Sequence, residues 1–296
     1  MKTRLLIASA LAALLLPGAA QAHRQWMMPS STVLSGTDSW VTVDAAVSND
    51  LFYFEHNPMR TDGIKATAPD GTEVKIENPA TGKYRSTFDV HLTQQGTYRI
   101  ASVSSGIMGS YTLNGKQVRL PRGTTKETLV AAIPAGATDV RTSEAASRNE
   151  IFVTLGAPTT TIFKPTGVGI ELVPVTHPND LIAGEAASFQ FLLDGKPAAD
   201  LAVTVIPGGI RYRDALKQMD LKTDKAGKLT VTWPEPGMYW LNASVGGGRE
   251  GGPGSPGGPG GQGAAAGASP APRPAAPAGP PARRASYVTT LEVLAP

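Results

Sequence analysis

The sequence predicts an all-β chain of two consecutive β-sandwich domains, and three observations predict it. Short apolar runs such as "WVTVDAAV", "IKATAP", "YRSTFDVHL" and "TYRIASV" alternate with period two, the spacing of strands with one buried face. Turn signals at Ser35-Gly36, Asp62-Gly63, Asp70-Gly71 and Gln95-Gly96 separate them. A second cycle of the same rhythm starts near Gly167, with further turns at Asp194-Gly195 and Ala226-Gly227, as in a small sandwich. At 296 residues the chain is long enough for two such domains.

The first element is a leader. Lys2 and Arg4 precede the apolar run "LLIASALAALLL", and Ala20-Gln21-Ala22 has the small-x-small pattern of a cleavage site, so residues 1–22 read as a signal peptide. Pro17-Gly18 interrupts the run well short of the ~20 residues an uncleaved anchor would need. The expected product is a soluble periplasmic protein that starts at His23 and has no membrane insertion of its own. Of the 27 basic residues, Lys2 and Arg4 leave with the leader, whereas all 24 acidic residues stay. The mature chain is therefore close to neutral and has no long basic run, which excludes an electrostatic case for nucleic acid. There is no cysteine, so neither a disulfide nor a thiolate ligand enters any reading.

Residues 23–165 form the expected N-terminal sandwich. Within it, residues 124–149 are rich in alanine and charge and are interrupted by Pro134, which suggests a short helix or a polar excursion. "IFVTLGAPT" and "TTIFKPT" then return to strand character. Residues 166–296 form the second sandwich, through "GIELVPV", "ASFQFLLDGKPAADLAVTVIPGG" and "LKTDKAGKLTVTWPEPGMYWLNASV". Residues 246–285 are almost entirely Gly, Pro, Ala and Ser. They cannot bury enough apolar area to offset the entropy of ordering, so a long disordered loop is expected there. The chain then resumes strand alternation in "SYVTTLEVLAP", with Tyr287, Thr289, Leu291 and Val293 on one face. The low-complexity tract therefore reads as an insertion before the last strand.

The stretches "AHRQWMMPSSTVLSGTDSWVTVDAAVSNDLFYFEHNPM", "GIELVPVTHPNDLIAGEAASFQFLLDGKPAADLAVTV" and "LKTDKAGKLTVTWPEPGMYWLNAS" resemble the exported domain-of-unknown-function 4198 family, often labelled as periplasmic components of nickel or cobalt uptake. The resemblance covers nearly all of the mature chain except the Gly/Pro tract. It implies an early histidine, matched by His23, and a second half like the Ig-like or carboxypeptidase-regulatory folds. It also implies nickel or cobalt as ligand and an inner- or outer-membrane uptake system as partner; copper enters as a third transition metal ion through residue chemistry instead.

The residues themselves suggest one piece of chemistry. A chain that begins with histidine can chelate a metal through its α-amine and its imidazole together, and an α-amino pKa of about 7.7–8.0 makes deprotonation by the metal inexpensive. One more imidazole would complete a three-nitrogen histidine brace suited to Cu(II) and acceptable to nickel. Only His56, His91 and His177 can supply it. His56, in the loop-like "LFYFEHNPMR" with Glu55 and Met59 as additional donors, is the first choice, so the expected metal residues are His23 and His56. His91 lies on a strand, and His177 precedes Pro178 where it could face the domain junction.

Other readings of the same residues stand beside this one. His23 can be a solvated accident of processing. Trp26, Met27 and Met28 are more cheaply explained as a first strand entering the core, since methionine commonly fills core gaps. Asp44 and Asp50 do not make an acid–base pair by proximity in sequence alone. No G-x-S-x-G, P-loop, H-E-x-x-H or paired-cysteine motif is present, so no enzyme is expected. Two alternatives to metal carriage remain: a non-enzymatic adhesion, scaffold or glycan-binding protein with the Gly/Pro tract as spacer, and a copper-dependent oxidase built on the brace.

Overall fold

The computed structural model describes residues 23–246 and 282–296. The expected signal peptide at 1–22 and most of the expected disordered tract lie outside the described residues. What is described is a β protein of three sheets, with one four-residue helix, α1 (Leu129–Ala132).

The first sheet contains β1 (Arg24–Pro29), β3 (Ser39–Ser48), β7 (Ile76–Thr81) and β8 (Ser86–Leu92) in the order β1-β3-β8-β7, with β4 (Asn57–Pro58) on the end of β3. A ten-stranded central sheet combines strands from both halves of the chain. Its first-half members are β2 (Val33–Leu34), β5 (Ile64–Thr67), β6 (Glu73–Val74), β9 (Gly96–Leu113), β10 (Lys116–Arg119) and β11 (Thr138–Leu155). Its second-half members are β15 (Ala202–Pro207), β16 (Met219–Lys222), β18 (Gly237–Val245) and β19 (Ala282–Val293). The third sheet holds β12 (Ile170–Pro174), β13 (Ala186–Leu193), β14 (Lys196–Pro197) and β17 (Lys228–Thr232).

Two sandwiches result, one on each face of the central sheet. Met27, Val41, Val43, Phe88 and Val90 of the first sheet meet Ile100, Ile151 and Val153 in one core, while Phe189, Phe191 and Val231 of the third sheet meet Val205, Leu241 and Leu291 in another. The strand register shows why the faces are opposite. Ile151 and Val153 share a face with Asn149, which stands opposite Val288, whereas Arg148 on the other face stands opposite Tyr287 of the second core.

The last strand joins the halves. β19 pairs antiparallel with β18 and parallel with β11, Ser143–Glu150 against Ala282–Thr289. The sequence reading did not include this shared sheet. It also explains why β19 is covered on both faces: Tyr287, Leu291 and Val293 enter the second core as expected, while Val288 enters a third cluster with Trp26, Ala46, Leu51, Ile206 and Trp240. Thr289 is fully buried on the expected face.

Several expected boundaries move. β19 begins at Ala282, inside the tract expected to be disordered through 285, because strands on both sides supply partners for its backbone. β11 begins at Thr138, well before "IFVTLGAPT", because the equally long β9 pairs with it and outweighs the weak local strand propensity of its alanine-rich start. "TTIFKPT" is a single 3-10 turn, Thr161–Phe163, with Ile162 and Phe163 buried. The Asp194-Gly195 turn behaves as its composition requires. Both residues have positive φ, 49° and 78°, which matches the twist of a two-residue hairpin between Leu193 and Lys196.

Candidate metal centre

His23 immediately precedes β1 and is exposed. The strand start is anchored beside it, since Arg24 lies opposite Ser48 of β3 and its Nη1 donates to the Asn49 carbonyl at 2.7 Å. The start of β1 and the end of β3 therefore share one end of the first sheet.

His56 reaches the same end from the loop between β3 and β4. Three devices fold that loop. The Glu55 Oε1 accepts the N–H groups of Asn49 (2.7 Å) and Asp50 (2.9 Å), closing the loop on itself. The Trp26 indole N–H donates to Ser48 Oγ at 2.8 Å, and that hydroxyl donates to the Asp50 carbonyl at 2.6 Å. Phe52, in the left-handed region at φ 62°, and Phe54 pack on the Trp26 ring at 5.4 and 5.6 Å. Asn57-Pro58 then rejoin β3 opposite Val47 and Ala46. Across a separation of 33 residues, the imidazoles of His23 and His56 stack face to face, with centroids 3.5 Å apart and planes 6° from parallel.

The local electrostatics suit a neutral ring. Burial holds the His23 imidazole below its usual pKa; the neighbouring His56 adds to this and Glu55 partly opposes it. A neutral imidazole is the form that binds a metal. Two stacked rings cannot both aim an in-plane lone pair at one ion, so shared coordination requires one ring to turn. The exposed His23 ring can do so, as no hydrogen bond among the described residues restrains it.

The other candidate donors are engaged elsewhere. Met59 is buried in the first core, 3% exposed, with Asn149 Nδ2 at 3.8 Å from its sulfur. His91 stacks on Trp40 at 4.2 Å, and its Nε2 lies 2.6 Å from Asp38 Oδ1. His177 faces the meeting of the two halves. The Asn179 N–H donates to its Nδ1 at 3.1 Å, which leaves the proton on Nε2, between Thr97 Oγ1 at 3.0 Å and the Thr159 carbonyl at 3.3 Å. Burial lowers the pKa of this ring and keeps it neutral, with the Thr159 carbonyl and Asp180 opposing. Asp44 is paired with Arg85 at 3.1 Å. Trp26 and Met27 are fully buried and Met28 packs against the third cluster, so this trio belongs to the core.

Among the described residues no group of three or more His, Asp or Glu side chains is gathered to hold a metal ion. Side chains at this centre therefore offer two nitrogens, and the donor set of a brace is complete only with the α-amine of a chain that begins at His23. The positioning roles of Arg24, Ser48 and Trp26 were not read from sequence, because nothing in "HRQWMMP" marks a strand whose two faces are both buried.

No helix among the described residues is long and apolar enough to cross a membrane. No curated protein matches the chain. Among solved structures it is similar to the D0-D1 domain of intimin, at 12% identity over 73% of this chain and 88% of that one, with a TM-score of 0.19. It is also similar to the Group B Streptococcus pullulanase SAP (10% identity, 73% and 22%, TM-score 0.15) and to the Bacillus anthracis TIE protein (13%, 81% and 38%, TM-score 0.16). TM-scores this low carry no argument about the centre. The family model for a domain of unknown function, DUF4198, matches residues 20–247, a span that includes His23 and His56, and the chain belongs to that family.

Proposed function

We propose that this chain is a periplasmic transition-metal-binding protein that holds nickel, cobalt or copper for uptake or delivery, with the ion bound by the α-amine and ring of His23 and by the ring of His56. The observation that carries the reading is the contact between those two imidazoles, 3.5 Å apart at the end of one sheet. The engagement of His91 and His177 in other contacts supports the choice of His56. An amine and two imidazoles form a nitrogen-only set that favours Cu(II) in affinity and also accepts Ni(II). The ion is cargo in this reading.

The test is calorimetric titration with Cu(II) and Ni(II) of the chain beginning at His23, alongside the same chain with one alanine added before His23, His23→Ala, His56→Ala and His91→Ala. The added alanine leaves the imidazole in place but turns the chelating amine into an amide. Affinity is expected to fall at least about tenfold, or about 1.4 kcal/mol, on extension, and also to fall in His56→Ala but not in His91→Ala. Equal affinity of the native and extended chains would remove the brace. Mass spectrometry of the exported protein checks that its N-terminus is His23.

A further inference from the structure

A second candidate site lies at the start of β19, on the same face of the central sheet as Asn149 and Val288, the face that packs against the first sheet further along. There a groove with a cavity volume of about 760 Å³ runs across β9, β11 and the start of β19, and four arginines line it: Arg60, Arg119, Arg122 and Arg284. No Asp or Glu lines it. Arg60 is already paired with Asp62, at 2.6 and 3.1 Å. Arg119, Arg122 and Arg284 make no ion pair and no side-chain hydrogen bond among the described residues. Three uncompensated guanidiniums thus surround one concavity, although the chain as a whole is nearly balanced in charge.

The groove is built by the backbone. The segment after β10 lies against β9, with the Leu120 N–H donating to the Gly109 carbonyl at 2.9 Å and the Ile107 N–H to the Thr124 carbonyl at 2.6 Å. Gly106 permits this approach, since a Cβ there would stand 2.9 Å from the Thr124 carbonyl oxygen. Arg119 and Arg122 are thereby held on one wall, and β19 places Arg284 on the other. The floor between them is low, because Ser104, Ser147 and Ser286 occupy it. The Ser286 hydroxyl donates to Ser147 Oγ at 3.1 Å, which leaves the Ser147 hydroxyl proton free to donate into the groove. Planar guanidiniums above hydroxyl donors, with no competing carboxylate, match the oxygens of phosphate or carboxylate groups.

We propose that this groove binds a ligand carrying two or more phosphate or carboxylate groups, through Arg119, Arg122 and Arg284. One charged group near each wall would use both sets of guanidiniums, and a volume of this size admits a small organic polyanion or the exposed headgroup of an anionic lipid. The site is independent of the metal reading.

The test uses the metal-free full chain in low salt. Tripolyphosphate and citrate are titrated calorimetrically as free polyanions, and phosphatidylglycerol vesicles are tested by co-sedimentation against phosphatidylcholine vesicles. Arg122→Gln and Arg284→Gln are each expected to weaken binding several-fold and the double variant at least tenfold. Arg141→Gln, an exposed arginine outside the groove, should leave binding unchanged. Binding should also weaken as salt is raised. Binding of a free polyanion assigns a soluble ligand, and binding of the vesicles alone assigns a lipid headgroup; both support the site. Failure of all three probes, or an equal loss in Arg141→Gln, overturns it. Because no metal is present and neither histidine is changed, either result is separable from the fate of the metal centre.

Discussion

Replacing Trp26 with alanine should damage stability and metal binding together, although Trp26 is not a ligand. The side chain is fully buried among Ala46, Leu51, Ile206, Trp240 and Val288, residues of the first sheet, its adjoining loop and the central sheet. Removing a buried tryptophan costs about 3–5 kcal/mol. The upper part of that range is expected, because four of those five neighbours are fixed on hydrogen-bonded strands and cannot close the cavity. Ser48, itself fully buried, would also lose the indole N–H that its oxygen accepts, adding about 1 kcal/mol. Trp26→Phe keeps most of the ring packing but not this donor, and should fall between the two. The His56 loop loses the Trp26 ring on which its Phe52 and Phe54 pack, so Cu(II) affinity should drop about tenfold or more, the usual effect of removing a group that orients a ligand. Urea unfolding followed by circular dichroism gives the first quantity and calorimetry the second. A stability loss below about 1.5 kcal/mol would refute the packing argument. Full stability loss with unchanged affinity would show that the loop does not depend on Trp26.

Three further expectations concern the last strand, the segment before it and the buried imidazole. Replacing residues 247–281 by a short Gly/Ser link should leave the melting temperature nearly unchanged, since Val245 and Ala285 are already paired and each doubling of loop length alters closure entropy by only about 0.6 kcal/mol. Deleting residues 286–296 should instead abolish cooperative unfolding, because it removes Tyr287, Leu291 and Val293 from the second core and separates β11 from β18; a soluble product with an unchanged transition would contradict the shared sheet. His177 has a depressed folded pKa, so the unfolded chain binds the extra proton first. Its contribution is complete above the ordinary imidazole value of about 6.5 and is lost as pH falls below it. His177→Gln should flatten that acid-side decline in urea midpoints measured on metal-free protein between about pH 5 and about pH 8, and an unchanged slope would count against a neutral buried ring.

Local pattern was enough to establish the β class, many of the strands and their core faces, because side chains in a strand alternate by geometry and an apolar face must be buried somewhere. Thus "WVTVDAAV" put Val41 and Val43 in a core and "SYVTTLEVLAP" put Tyr287, Leu291 and Val293 in another. The same pattern gave no way to know that β19 would lie beside β11, 139 residues earlier at Ser147 and Ser286, since which edges meet depends on the whole arrangement of sheets. The candidate centre divides in the same way. Residue types made His23 and His56 candidates, whereas the stacking of the two rings required β1 to pair with β3 and the loop after β3 to turn back over Trp26. His177 likewise had the composition of a possible ligand, and only the approach of Thr97, Thr159 and Asn179 made it a structural hydrogen-bonding group. Sequence determines which groups can form a contact, and tertiary packing determines which of them are close enough to do so, because contact energies act over a few ångströms and the chain between two residues does not fix their distance.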